Sequence, residues 1–200
     1  MRRIVSAIAT AAALVAALPA LAQVPTDHIR GKVKSLTGSS LVVQGKNGKV
    51  YAVSLSTGWT VTVVKPVEMS AIAPGSFIGT TNINRPDGSG RSLEVHVFPP
   101  GVKMGEGHYA WDLKPHSMMT NGTVGKVTTG SHGRTLEVAY AGGTRTIVVP
   151  PGAPVVGFGP GAPAMIKPGV AVFILATKAA DGALNASGVT IGEKGAAPPM

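Results

Sequence analysis

An ordered internal repeat constrains the fold of this 200-residue chain more than any other feature of its sequence. The first half contains a β-rich segment, a hairpin, a variable segment, an x-Pro-Gly turn, a strand, an Asp-Gly turn and a last strand. The second half contains the same features in the same order, displaced by 91 to 95 residues. One ordered series with a nearly constant displacement predicts a duplicated unit, because chance matches in Gly-rich sequence would not keep their order.

The matching positions are turn residues and apolar residues of the kind that define a small β unit. Proline and glycine at a reversal set the turn, and alternating apolar residues mark the buried face of a strand. The matched pairs are Gly31 with Gly122, Val33 with Val124, Leu41 with Leu136, Val43 with Val138, Pro74-Gly75 with Pro168-Gly169, Ile78 with Val172, Asp87-Gly88 with Asp181-Gly182, Val95 with Val189, and Val97 with Ile191.

Each unit has five short β segments and no convincing 3.6-residue apolar period. The hairpins at 41–55 and 136–149 are the clearest, since apolar runs flank a Gly-containing turn in both. Five short strands avoid exposed edges most economically by closing on themselves. We therefore predict an all-β fold of two tandem, five-stranded, OB-like barrels or rolled sheets joined by a loop. A short strand and a helical turn are expected in 61–72, and an exposed turn at 157–161.

The first 22 residues have the pattern of a secretory signal peptide. Arg2 and Arg3 precede an Ala-rich apolar run shorter than the ~20 residues that span a bilayer, and Ala20-Leu21-Ala22 is a small-x-small cleavage pattern. We predict Sec-type export, cleavage after Ala22, and a periplasmic or secreted protein. The predicted organisation is a signal peptide at 1–22, a first barrel at 23–98, a linker at 99–120 and a second barrel at 121–200.

The composition of the mature chain excludes several kinds of site. The absence of cysteine excludes disulfides, thiolate metal sites, cysteine nucleophiles and lipid attachment through a lipoprotein cysteine. Removal of Arg2 and Arg3 lowers the formal charge from +9 to +7, which permits an anionic partner such as envelope polysaccharide or an acidic lipid surface. Scattered Lys and Arg do not locate such a surface.

The linker is the segment with the most chemically versatile side chains. His108, Asp112 and His116 are spaced four and four, and His96 ends the preceding strand. Imidazoles and a carboxylate suit Zn²⁺ or Cu²⁺, so these four residues are the candidate metal ligands. Pro115 makes a regular helix doubtful, and the ligand set would need a folded loop.

An inter-domain clasp is the structural alternative for the same segment. In this interpretation Tyr109, Trp111 and Leu113 pack across the two barrels, and the histidines and the aspartate are hydrogen-bonded or solvated. No closely spaced HxH or HxxxH pair is present to favour the metal.

Other classes of function have less support. No nucleophile elbow, HExxH motif or recognisable carboxylate pair occurs, so we predict no catalytic residues and no enzyme. Nucleic-acid binding by a small barrel needs aromatic platforms in a basic groove, and an exported protein has little contact with nucleic acid, so none is expected.

Three stretches resemble a known family. They are Pro74 to Thr80, Leu93 to Pro99, and the segments of 105–121 that include Gly105 to His108, Trp111 to Leu113 and Met119 to Asn121. The chain resembles a family of uncharacterised exported bacterial proteins with tandem small β-barrel domains. The resemblance implies export and a two-barrel fold, and the label that some relatives carry implies a link to metal transport.

The sequence therefore predicts an exported, non-enzymatic binding or structural protein of the bacterial cell envelope. The alternative is a periplasmic transition-metal binding protein associated with metal transport. In that case copper or zinc would be the cofactor, held by His96, His108, Asp112 and His116.

Overall fold

The computed structural model describes residues 26–131 and 133–200, and the predicted signal peptide at 1–22 lies outside the described residues. The described chain is all-β, with three short 3-10 helices at Met69–Ala71, Pro163–Met165 and Glu193–Gly195. The strands are β1 (Thr26–Thr37), β2 (Ser40–Gly45), β3 (Val50–Pro66), β4 (Phe77–Asn84), β5 (Gly90–Val97), β6 (Gly107–Trp111), β7 (Ser117–Gly130), β8 (Gly133–Tyr140), β9 (Gly143–Val149), β10 (Val155–Pro160), β11 (Ala171–Lys178) and β12 (Leu184–Gly192).

Five strands close a first ring of backbone pairing. Antiparallel pairs join β12 to β11, β11 to β1, β1 to β2, and β2 to β3. A parallel pair between β3 and β12 completes the circle, with Val61 opposite Val189. The first ring is therefore a closed five-stranded barrel, and it exposes no strand edge along its closure.

The second ring repeats this pattern with different strands. Antiparallel pairs join β5 to β4, β4 to β7, β7 to β8, and β8 to β9. A short parallel pair between β5 and β9 completes it, with Gly90 opposite Ile147. The remaining strands lie outside the rings, since β6 pairs with β7, and β10 bridges β3 and β5.

The rings exchange strands between the two halves of the chain. β4 and β5 come from the first half of the chain, but they complete the ring of β7, β8 and β9 from the second half. β11 and β12 from the second repeat complete the ring of β1, β2 and β3. The pairing therefore does not follow the predicted domains 23–98 and 121–200, because each ring takes strands from both ranges.

The length of β3 explains how the chain leaves its own ring. Its 17 residues form one strand with an irregularity at Gly58, where φ is +74° and the pairing with β12 shifts register. The prediction of a separate short strand in 61–72 is thus replaced by the second half of β3, followed by the 3-10 turn at Met69–Ala71. After β3 the chain has left the first ring, and β4 pairs with β7 rather than with β1.

β10 occupies most of a segment that was predicted to be an exposed turn. Residues 157–161 were predicted as an exposed turn, but 157–160 lie in β10, and Phe158 is partly buried in a small cluster with Val64. β10 corresponds to the second half of β3 after a displacement of 94 residues. β10 is paired with β3 on one side and with β5 on the other, and glycines at 157 and 159 allow this close approach of backbones.

Matched glycines and turns of the repeats have matched roles. A Cβ at Gly31 would lie 2.2 Å from the carbonyl oxygen of Gln44, and a Cβ at Gly122 would lie 2.3 Å from that of Ala139. Both positions therefore require glycine for close backbone approach. Gly75 and Gly169 adopt φ of +86° and +88°, which a reversal after proline requires.

Each ring has its own apolar core, and the two cores again mix the repeats. Ile166 of the second repeat packs in the first core, and Ile72 of the first repeat packs in the second. The first core contains Ile29, Val33, Leu41, Val43, Val53, Leu55, Val61, Ile166, Val172, Ile174, Ala176, Ala186, Val189 and Ile191. The second contains Ile72, Ile78, Val95, Val124, Leu136, Val138, Ile147, Val149 and Val155. Within residues 26–131 and 133–200, no helix is long and apolar enough to cross a membrane.

Candidate ligand-binding cavity

A cavity of about 710 Å³ opens where strands of the two rings meet β6 and β10. Strands β3, β11 and β12 of the first ring contribute to its wall, as do β5 and β7 of the second. Most of the lining is apolar, and aromatic rings dominate it. The aromatic side chains are Trp59, Phe98, Tyr109, Trp111, Phe158 and Phe173.

The mouth of the cavity exposes apolar side chains to solvent. Val102, Met104, Tyr109 and Leu175 all line the cavity, and each belongs to the small set of large hydrophobic residues that are exposed in the described chain. Met104 is 62% exposed and Leu175 is 49% exposed. Because isolated apolar residues are normal on a surface but a cluster around a concavity is not, this rim makes the cavity a candidate binding site.

Trp111 connects β6 to the first ring at one side of the cavity. The centroid of its indole lies 4.1 Å from that of the His28 imidazole on β1 and 6.4 Å from that of the Phe173 phenyl group on β11. Trp111 itself is partly buried, and its Nε1 is enclosed without a hydrogen-bond partner among the described residues. This is the contact between the two rings that the predicted clasp would use.

Asp112, the next residue, also contacts β1, through charged and hydrogen-bonded side chains. Its carboxylate accepts hydrogen bonds from Arg30 Nη2 at 2.7 Å and Arg30 Nη1 at 3.0 Å, and its Oδ1 lies 2.8 Å from His28 Nδ1. Burial alone would raise the pKa of Asp112, but the bonds from Arg30 and His28 outweigh it and lower the pKa below its ordinary value. Asp112 therefore holds the β6–β7 turn against β1 as an anion.

The other clasp residues lie differently. Tyr109 contacts the second ring of strands. Asn121 Nδ2 on β7 donates to the Tyr109 hydroxyl at 2.8 Å, and that hydroxyl donates to the carbonyl of Gly105 at 3.2 Å. Burial raises the pKa of the Tyr109 hydroxyl. Leu113 is partly buried in the turn after β6.

His96 and Glu94 form a buried pair in the wall of the cavity. His96 Nε2 lies 2.5 Å from Glu94 Oε2, and the side chains are only 5% and 1% exposed. The other carboxylate oxygen, Oε1, accepts a hydrogen bond from the backbone N–H of Thr81 at 2.8 Å. His96 lines the cavity, and its ring lies 5.6 Å from that of Phe158.

His108 belongs to a separate polar cluster. Its Nδ1 lies 2.8 Å from the hydroxyl of Thr120, which also accepts a hydrogen bond from Asn82 Nδ2 at 2.9 Å. Burial lowers the pKa of His108, and the positive charge of Arg145 lowers it further. A neutral imidazole therefore fits this cluster.

Each of the four predicted metal ligands consequently has its own surroundings. His96 pairs with Glu94, His108 with Thr120, and Asp112 with Arg30 and His28, while His116 is exposed in a turn with φ of +59°. Among residues 26–131 and 133–200, no group of three or more His, Asp or Glu side chains is placed to hold a metal ion. The predicted linker is also partly strand, since it contains β6 and the start of β7. An extended backbone separates residues four apart by about 13 Å, so the spacing of 108 and 112 does not bring them together.

Several lining residues carried no functional signal in the sequence. Phe158 lies in the segment predicted as an exposed turn, and no motif marks Phe173. The two tryptophans of the chain, Trp59 and Trp111, both line the cavity although 52 residues separate them. Only the exchange of strands between the rings brings these positions to one place.

Comparison with protein-family models, with curated proteins and with solved structures finds no match to this chain. The cavity is the feature of the described chain from which a function can be proposed. An aromatic, largely apolar concavity of this volume has the dimensions of a small-molecule site, and its few polar groups, including His96 and Asn121, are placed to orient a bound molecule.

Proposed function

We propose that this chain is an exported, non-enzymatic binding protein of the bacterial cell envelope, and that its two OB-like barrels hold an apolar small molecule between them. The observation that carries the proposal is the cavity of about 710 Å³, lined by six aromatic side chains. Pockets of about 300–1,000 Å³ enclose most of the surface of a small ligand, and burial of apolar area supplies the affinity.

The exposed rim supports the same proposal. Val102, Met104, Tyr109 and Leu175 remain in water when the cavity is open, at a cost that a bound apolar molecule would remove. A purely structural protein has no evident use for an exposed apolar rim around a concavity.

The two-barrel description rests on the reciprocal pairing. Each ring has the same five-strand order, with a parallel pair at its closure. We infer that both rings derive from one duplicated unit, and that the cavity formed where the duplicated units meet.

Binding of N-phenyl-1-naphthylamine, whose emission rises in apolar surroundings, tests the proposed function. The mature chain should bind it saturably with a stoichiometry of one. Leu175→Asp places a charge at the rim and should weaken binding at least tenfold. Val50→Asp is the matched control, since Val50 is 54% exposed and does not line the cavity. Equal binding by both variants, or no binding by the unaltered chain, would contradict the proposal.

A further inference from the structure

The six aromatic side chains of the cavity form two separate groups and one isolated ring. In the first group the centroid of the Trp111 indole lies 6.2 Å from that of the Tyr109 ring and 6.4 Å from that of the Phe173 ring. In the second group the centroids of the Phe98 and Phe158 rings lie 4.9 Å apart. Among the described residues no ring contact joins the two groups. Because both groups line one cavity, the cavity opens between them.

The rings within each group are tilted against one another and are not stacked. The interplanar angles are 63° and 53° for the two contacts of Trp111, and 45° between Phe98 and Phe158. Aromatic rings attract one another in edge-to-face or offset-stacked contacts, by more than the apolar area that they bury. Because no pair is stacked face to face, each group can accept a further ring from the cavity.

Trp59 lines the cavity from β3 without a ring partner. Its side chain is partly buried and packs against the first core. Within the described part of the chain, no other aromatic ring contacts it. An indole in this position gains an aromatic contact only from a bound molecule.

The remaining lining favours the same kind of occupant. Met104, Met119 and Met200 line the cavity, and a thioether sulfur makes favourable contacts with the edge of an aromatic ring. Among residues 26–131 and 133–200, no Lys, Arg, Asp or Glu side chain lines the cavity. A charged group inside it would therefore lose its hydration without gaining a charged partner.

We propose that the ligand of this cavity is an uncharged molecule built on a flat aromatic ring system, which inserts between the two aromatic groups and lies against Trp59. The inference rests on the proposed function, because it names the class of apolar molecule that the cavity takes. A saturated molecule with the same skeleton would also bury apolar area, but it would not gain the contacts with rings and sulfurs. The lining therefore selects flat rings over alkyl chains.

Naphthalene and decahydronaphthalene separate these two contributions to binding. They share one carbon skeleton and carry no charge, but the saturated compound is not flat and has the larger apolar surface. Burial of area alone predicts tighter binding of decahydronaphthalene. Contacts with rings and sulfurs predict the reverse order. In displacement of N-phenyl-1-naphthylamine from the mature chain, we expect naphthalene to bind about fivefold more tightly than decahydronaphthalene.

Charged derivatives of the same ring system test the second part of the proposal. 2-Naphthoate and 2-naphthylmethylammonium should both bind more weakly than naphthalene, because neither charge finds a partner in the lining.

Trp59→Leu removes the isolated indole and keeps an apolar side chain. It should weaken the binding of naphthalene about threefold and change that of decahydronaphthalene by less than about twofold. Tyr51→Leu is the matched control, because Tyr51 lies on the same strand and also packs against the first core, but does not line the cavity. The control should keep the preference of the unaltered chain. Trp59→Phe, which retains a ring, should keep most of that preference.

Equal or tighter binding of decahydronaphthalene by the unaltered chain would overturn the aromatic proposal while leaving apolar binding intact. An unchanged preference in Trp59→Leu, an equal loss of preference in Tyr51→Leu, or tighter binding of either charged derivative would also overturn it. If Trp59→Leu does not fold, the comparison of the two hydrocarbons in the unaltered chain decides alone. Failure of both hydrocarbons and of the probe to bind would overturn the proposed function itself.

Discussion

Val64 of β3 lies directly opposite Phe158 of β10, and these two positions are 94 residues apart, which is the displacement of the predicted repeat. The pairs on either side are reciprocal, since Thr62 faces Pro160 and Pro66 faces Val156. An approximate two-fold axis therefore passes between Val64 and Phe158. The exchange of strands on one side of this axis is matched by the exchange on the other.

The reciprocal exchange predicts that neither half of the chain folds alone. A fragment of residues 26–98 lacks three strands of the second ring and two strands of the first. We expect the fragments 26–98 and 99–200 to be unfolded separately and to assemble when mixed, as followed by amide NMR dispersion. A well-dispersed spectrum of either fragment by itself would show that the units are independent.

Gly31→Ala should destabilise the fold strongly. The added methyl would meet the backbone carbonyl of Gln44, which cannot move without breaking the pairing of β1 and β2. We expect a loss of about 1–3 kcal/mol in the free energy of unfolding, measured by urea denaturation. Gly122→Ala should have a similar effect. Gly130→Ala is the control, because nothing lies within 4 Å of its added Cβ, and it should change stability by less than about 0.5 kcal/mol.

Trp111→Ala should loosen the contact between β6 and the first ring. The substitution removes the indole from His28 and Phe173, and we expect about 1–3 kcal/mol less stability and a lower melting temperature. Trp111→Phe keeps an aromatic ring there and should retain most of the stability. An unchanged melting temperature in the alanine variant would contradict a clasp role for this residue.

Asp112 should make part of the stability depend on acid pH. Its folded-state pKa is lowered below the ordinary 3.8, so its contribution is present above that value and is lost as the pH falls through the folded-state pKa. Asp112→Asn should lower stability by about 0.2–1 kcal/mol at neutral pH, because the Asp112 side chain is 54% exposed, and the difference should shrink below about pH 4 and in high salt. A difference that is constant between pH 3 and pH 7 would exclude an ionic role.

The all-β class follows from local signals in the sequence. Turn residues such as Gly75 and alternating residues such as Leu41 act through backbone φ and strand pleat, which depend on near neighbours. The exchange of strands between the two rings does not follow from these local signals. Both units present the same apolar pattern, so β4 satisfies it equally against β1 or β7. In the structure β3 runs past the first ring, and β4 then pairs with β7.

The candidate site was harder to predict for the same reason. His108, Asp112 and His116 drew attention by their spacing, but β6 is extended and a turn follows it. The cavity instead collects Trp59 and Phe173 from opposite halves of the chain. Their convergence depends on long-range pairing, which no local pattern encodes.

The two tryptophans offer the most direct test of the central claim, that one cavity between the rings binds an apolar molecule. Trp59 approaches it from β3 and Trp111 from β6, and the chain has no third tryptophan. In Trp59→Phe and Trp111→Phe variants, the emission of the remaining indole should change on titration with 1-decanol, with the same midpoint in both. Different midpoints, or a response from only one indole or from neither, would contradict a single shared site.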